Sequence, residues 1–178
     1  MLIIFNKPYG VITQFSEHDV YPTLKEFIPH KNVYPAGRLD TDSEGLVILT
    51  DNGALQNKLS DPSSSIEKVY VVQVENIPSR DDLSKLEKGV MISKYFTKPA
   101  KAKMIDEPTL WERVPPIRKR NSIPTSWLEI RITEGKNRQV RKMTAAIGFP
   151  TLRLVRLSIG DYKIGDLEPG NYHVVESS

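Results

Sequence analysis

Two segments, KVYVVQVE at 68–75 and WLEIRIT at 127–133, are rich in β-branched and aromatic residues and alternate over part of their length, with polar Gln73 and Glu75 in the first and Glu129, Arg131 and Thr133 in the second. A period of two sends alternate side chains to opposite faces of a pleated strand, so both segments are read as strands. The other elements must be built around them. LIIF at 2–5 is a short apolar run and reads as a buried strand, broken by Pro8 and Gly10. VITQF at 11–15 reads as a second short strand. TLKEFI at 23–28 is expected to be a short helix, with Thr23 as its N-cap and Pro29 as its stop. LVILT at 46–50 is β-branched and apolar, hence an inner strand.

Asn52-Gly53 then turns the chain, and ALQNKL begins a short helix that Asp61-Pro62 ends. SRDDLSKLEKGV at 79–90 is a helix capped by Ser79 and closed by Gly89. NRQVRKMTAAIG at 137–148 is a helix with Gly148 as its stop; LRLVRLSIG at 152–160 is a strand; GNYHVVE at 170–176 adds an edge strand. Residues 106–126 carry four prolines and no periodicity. A loop of that length is usually functional or disordered. Strands and short helices mix without a βαβ rhythm, which predicts an α+β fold with a mainly antiparallel sheet.

The chain has 178 residues, enough for one large domain or two small lobes, and 39% hydrophobic residues can fill a sizeable core. With no cysteine, disulfides and thiolate zinc sites are excluded. His18, His30 and His173 lie far apart and follow no metal-ligand spacing. No leader peptide and no run of about 20 apolar residues is visible. A cytoplasmic chain without a membrane partner or metal is expected, and nothing suggests an obligate oligomer, so a monomer is expected. Net charge is only +3, but residues 131–156 hold seven Lys/Arg against one acid, Glu134. That block is +6 and the remainder −3. Concentrated basic charge fits a polyanion-binding face, or a solvated surface that happens to be basic.

On the 137–148 helix, Val140, Met143, Thr144 and Ile147 recur at helical spacing and form one mostly apolar stripe. Arg138 and Lys142 then point away from it, and Arg141 lies on the border. A border arginine can turn its guanidinium toward a cleft or simply snorkel. Lys136, Asn137 and Arg138 sit at the helix N-terminus, where a phosphate is readily held. Before the 46–50 strand stands AGRLDTDSEG at 36–45. Taken alone, Arg38 and Asp40 fit a turn cap or a surface ion pair better than they fit chemistry.

The stretch AGRLDTDSEGLVILTDNG resembles the catalytic motif of pseudouridine synthases, in the branch that modifies ribosomal RNA, the small-subunit pseudouridine synthase A family. IFNKPYGV, KVYVVQVE and EGKNRQVRKMTAAIGFPTLRLVRLSIG resemble its other motifs in the family's order, across almost the whole chain. The resemblance implies a pseudouridine synthase fold, a mainly antiparallel mixed sheet in two lobes with a central RNA-binding cleft. It implies one catalytic domain over 1–178 with no separate N-terminal RNA-binding domain.

It also implies roles. Asp40 is the catalytic aspartate, Tyr70 stacks on the target base, Arg141 pairs with the aspartate, and Leu154 packs near the base. RNA backbone contacts fall to Arg38, Lys68, Lys136, Asn137, Arg138, Arg153 and Arg156, with Arg118, Lys119 and Arg120 on the long loop. The implied reaction isomerises a uridine of large-subunit (23S) ribosomal RNA and requires no cofactor. Two alternatives stay open: a non-catalytic RNA-binding or assembly protein on the same fold, and a synthase acting on another RNA such as tRNA.

Overall fold

The computed structural model describes residues 1–176. The chain divides into two compact units: Met1–Ile66 together with the chain from Arg156 onward, and Glu67–Val155.

The first unit is built on β1 (Leu2–Lys7), β2 (Tyr34–Pro35) and β3 (Glu44–Thr50). β1 pairs antiparallel with β3, Leu2 opposite Thr50 and Lys7 opposite Gly45. On its other side it takes β11 (Tyr172–Val175), the edge strand expected at the tail. Every residue of β1 and β3 is buried, so neither shows alternation and both read as apolar runs. Ile3, Phe5, Leu24, Ile28, Val33, Leu39, Val47 and Leu49 form the core of this unit. α1 (Gly53–Ser60) starts at Asn52, whose side chain accepts from the Leu55 amide.

Two expectations fail in this unit. Residues 11–15 form no strand; Ile12 makes one isolated bridge to Thr23. The neighbouring polar groups serve the loop around Leu39 instead, because the Thr13 hydroxyl is spent there. The helix expected over 23–28 shrinks to one 3-10 turn, Leu24–Glu26, although Thr23 does cap it.

The second unit is an antiparallel sheet of β4 (Lys68–Glu75), β8 (Thr125–Ile132) and β7 (Lys101–Ile105), with β8 in the middle. Tyr70 stands opposite Ile130 and Val72 opposite Leu128. α2 (Arg80–Lys88) carries a full capping box between Ser79 and Asp82 and ends at Gly89. Its Leu83 and Leu86 are buried against the sheet, each worth about 1.5–3 kcal/mol of burial. A small hairpin, β5 (Met91–Ile92) and β6 (Tyr95–Phe96), follows. α3 (Gln139–Ala146) seats Val140 and Met143 in the same core. β9 (Thr151–Ile159) crosses the boundary of the units in sequence, and β10 (Tyr162–Lys163) pairs with its end. Among the described residues no helix is long and apolar enough to cross a membrane.

Candidate active site

The segment that leads into β3 is pinned at successive peptides. The carbonyls of Arg38, Leu39, Asp40 and Thr41 each accept a hydrogen bond, from the Arg156 guanidinium (3.4 Å), the Thr13 hydroxyl (2.7 Å), the Ser43 amide (3.0 Å) and the Gly10 amide (2.8 Å). Thr13 Oγ1 also accepts from the Leu39 amide at 3.4 Å. Leu39 itself is core, 6% exposed. Asp40 is half-buried and sits between two anchored neighbours. It is therefore a turn residue, since the Ser43 amide closes a turn on it. Yet its backbone is fixed far more firmly than a turn requires. Such over-determination is what a reacting group needs from its support.

Gly45 is the residue that lets β9 come close. Its φ is +108°, and a Cβ there would stand 2.3 Å from the Arg156 carbonyl oxygen. No side chain fits. The close approach delivers Arg156 Nε to the Leu46 carbonyl at 2.9 Å and Nη1 to the Arg38 carbonyl.

Lys7 lies beneath the same loop with no exposed surface. Its Nζ donates to the carbonyls of Val11 (2.7 Å), Pro8 (2.9 Å) and Thr41 (3.3 Å). Burial pulls its pKa from the ordinary 10.5 to about 7, against the pull of Glu44, Asp42 and Asp40 and with some help from Arg156. The unfolded lysine keeps its proton to about 10.5 while the folded one releases it near 7. Between those values the unfolded chain binds more protons, so stability rises with pH. Urea unfolding of the wild type and Lys7→Met across that range is expected to show the difference moving toward the wild type as pH rises. A difference that stays constant would refute the lowered lysine.

In the second unit, Tyr70 on β4 and Leu154 on β9 are buried in the core, 7% and 4% exposed. Arg141 is half-buried on α3, as its border position implies, while Arg138 is exposed. Arg138 is the N-cap of α3 in a left-handed conformation, φ +52°, and gives no side-chain cap. The turn before the helix is organised by Glu134, 3% exposed. Its carboxylate accepts from Gln139 Nε2 (2.8 Å), from the Lys98 amide (2.8 Å) and from the Tyr95 hydroxyl. Burial pushes this carboxyl up, and the hydrogen bonds from Tyr95, Gln139 and Lys98 outweigh it, leaving the group below the ordinary range. Gln139 Oε1 in turn accepts from the Lys136 amide at 2.9 Å.

The expected RNA-contact residues divide. Arg38, Lys136, Asn137, Arg138, Arg118, Lys119 and Arg120 are exposed. Lys68 is half-buried, with Nζ 3.4 Å from the Glu134 carbonyl. Arg153 and Arg156 correct the expectation of a solvated basic face: they are 8% and 5% exposed. Arg153 donates to the Trp111 carbonyl at 2.9 Å, and Arg156 donates to the carbonyls of Leu46 on β3 and Arg38 on the preceding loop. Arg156 thereby holds the Arg38 peptide and β3, and Arg153 holds the long loop. Arg113 does the same, donating to the Leu152 carbonyl at 2.9 Å. The long loop is thus tied to the start of β9 by two arginines.

The sequence reading missed Lys7, Thr13 and Glu134. Glu134 did leave a signal: it is the one acid in the 131–156 basic block. Among the described residues no cluster of histidines and carboxylates is arranged to hold a metal ion.

The family model for RNA pseudouridylate synthase matches residues 1–146. The chain belongs to the RNA pseudouridylate synthase family. Among its relatives in that family is ribosomal large subunit pseudouridine synthase E of Vibrio parahaemolyticus, 57% identical, covering 98% of this chain and 74% of that one. The protein of the same name from Xanthomonas campestris is 50% identical and covers 98% of this chain and 95% of its own. A solved pseudouridylate synthase superposes with a TM-score of 0.82 at 29% identity, over 98% of this chain and 70% of that one. The α+β architecture expected from the sequence is the architecture of this family.

Proposed function

We propose that the chain isomerises a uridine of large-subunit ribosomal RNA to pseudouridine, with Asp40 as the reacting carboxylate. The observation that carries the reading is the pinned peptide frame from Arg38 to Thr41. The relatives named large subunit pseudouridine synthase E support the choice of RNA.

The reaction is an isomerisation, with no net gain or loss of atoms or electrons. The bond from ribose C1′ to N1 of uracil breaks, the base turns, C5 joins C1′, and the proton on C5 leaves to solvent while N1 takes one up. Asp40 acts in its ionised form, either on the ribose carbon or on the 2′ position, as carboxylates do in other glycosidic chemistry. The uridine must leave its stack, at a cost of a few kcal/mol. Tyr70 meets the extruded base, Leu154 lies beside it, and Arg141 supplies the cation that serves the carboxylate. Phosphate contacts fall to the exposed cations Arg38, Lys136, Arg138 and the Arg118–Arg120 run, with salt-dependent affinity. In this reading one chain acts alone, in the cytoplasm, without a cofactor.

The test uses unmodified large-subunit ribosomal RNA carrying tritium at C5 of uridine. Forming the C5–C1′ bond expels that hydrogen, so the wild type is expected to release tritium to water. Binding of the RNA with no release, from free RNA and from ribosomal particles alike, would leave a binding protein on this fold.

A further inference from the structure

The β5–β6 hairpin has two unlike faces. Ile92 and Tyr95 face inward and join the core of their unit. Met91 and Phe96 are cross-strand partners on the outer face and stay 59% and 58% exposed. One edge of the Phe96 ring lies over Gly89: a Cβ at that glycine would stand 2.6 Å from the ring. The ring is backed on that edge and open elsewhere.

The hairpin is also held rigid. Its inner Tyr95 donates to Glu134, the Lys98 amide just after it donates to the same carboxylate, and Lys136 lies 4.5 Å from the Tyr95 ring centre. The turn at its tip is formed by Ser93 and Lys94, with φ +41° and +67°. Asparagine or glycine adopts that conformation with less strain. The chain instead keeps an ammonium at the tip. From residue 88 to 105 it carries five lysines and no acid. Lys101 and Lys103 pair with Glu67 and Glu129; Lys88, Lys94 and Lys98 are exposed around the hairpin.

An exposed aromatic ring on a rigid support, rimmed by ammonium groups, has the make-up of a single-strand RNA platform. A second copy of the chain is disfavoured, since pairing this face with itself would bring like charges together. We propose that the outer face of the hairpin is an RNA-contact surface beyond the catalytic residues, on which an unpaired base of the substrate stacks on Phe96 while Lys94 and its neighbours meet phosphates. The inference rests on the proposed RNA substrate, and it adds a place where that substrate is gripped.

The test measures filter binding and tritium release with the unmodified large-subunit transcript for wild type, Phe96→Ala, Phe96→Trp and Lys94→Ala. Phe96→Ala is expected to weaken binding roughly tenfold and raise KM with kcat unchanged, and Phe96→Trp to restore both. Lys94→Ala is expected to lower the salt dependence of binding by about one unit of slope. Equal affinity of Phe96→Ala and wild type would overturn the proposal, as would a wild-type dimer in sedimentation that Phe96→Ala dissolves. Because binding is read apart from turnover, weakened binding with no release in the wild type would sink the synthase reading and keep the surface.

Discussion

Asp40→Ala is expected to reduce tritium release on the order of 10⁴-fold or more, while affinity for the transcript falls by less than tenfold. The asymmetry follows from where the contacts lie. The fold holds this segment through its peptide carbonyls and the buried Leu39 side chain. Truncating the Asp40 side chain removes none of the hydrogen bonds that Thr13, Gly10, Lys7 and Arg156 donate to peptide carbonyls here, so binding through the exposed cations is expected to persist. What disappears is the carboxylate that the proposed reaction uses in ionised form. Asp40→Asn is the companion variant, since it keeps the shape and removes the charge. Near-normal turnover in either would make Asp40 a turn residue only and would end the assignment.

The parts of the fold legible in the sequence are those whose pattern is local. β4 matches the alternating 68–75 segment, and α2 follows its Ser79 cap and Gly89 stop. Elements set by distant partners were not legible. β7 reads KAKMI, in which only Ala102 is buried. It is a strand because β8 pairs with it, and its lysines point outward. Residues 11–15 erred the other way: an apolar start suggested a strand, but Thr13 is committed to Leu39, 26 residues on.

The candidate site divides along the same line. Asp40, Tyr70, Arg141 and Leu154 were named through motifs whose order runs along the chain. The support of Asp40 was hidden because it is made of long-range pairings: Lys7 to Thr41, Thr13 to Leu39, Arg156 to Arg38. A lysine after LIIFN looks like the solvated end of a strand. Only the fold shows that three carbonyls surround it. Arg153 and Arg156 were misread for the complementary reason, since composition counts a charge without showing where it points.

Arg141→Ala is expected to lower kcat by about 10²–10³, whereas Arg138→Ala changes kcat by no more than about twofold and acts on KM through one phosphate contact. Both arginines belong to one short basic helix, so charge alone does not separate them. Their settings do. Val140, Met143 and Thr144 lock α3 into the core of its unit, and that orientation leaves Arg141 half-buried and Arg138 exposed. A cation removed from water interacts more strongly with a nearby anion than one in solvent, because the effective dielectric is lower. In the proposed reading, a partly desolvated guanidinium therefore has the larger influence on charge that develops in the reaction. Arg141→Lys sharpens the test. It keeps the charge and gives up the planar fork, so it is expected to recover only part of the lost kcat. Circular dichroism and urea midpoints of the variants check that α3 is still seated. If the two alanine variants prove equally mild on folded protein, Arg141 is a surface cation and the catalytic assignment must rest on Asp40 without it.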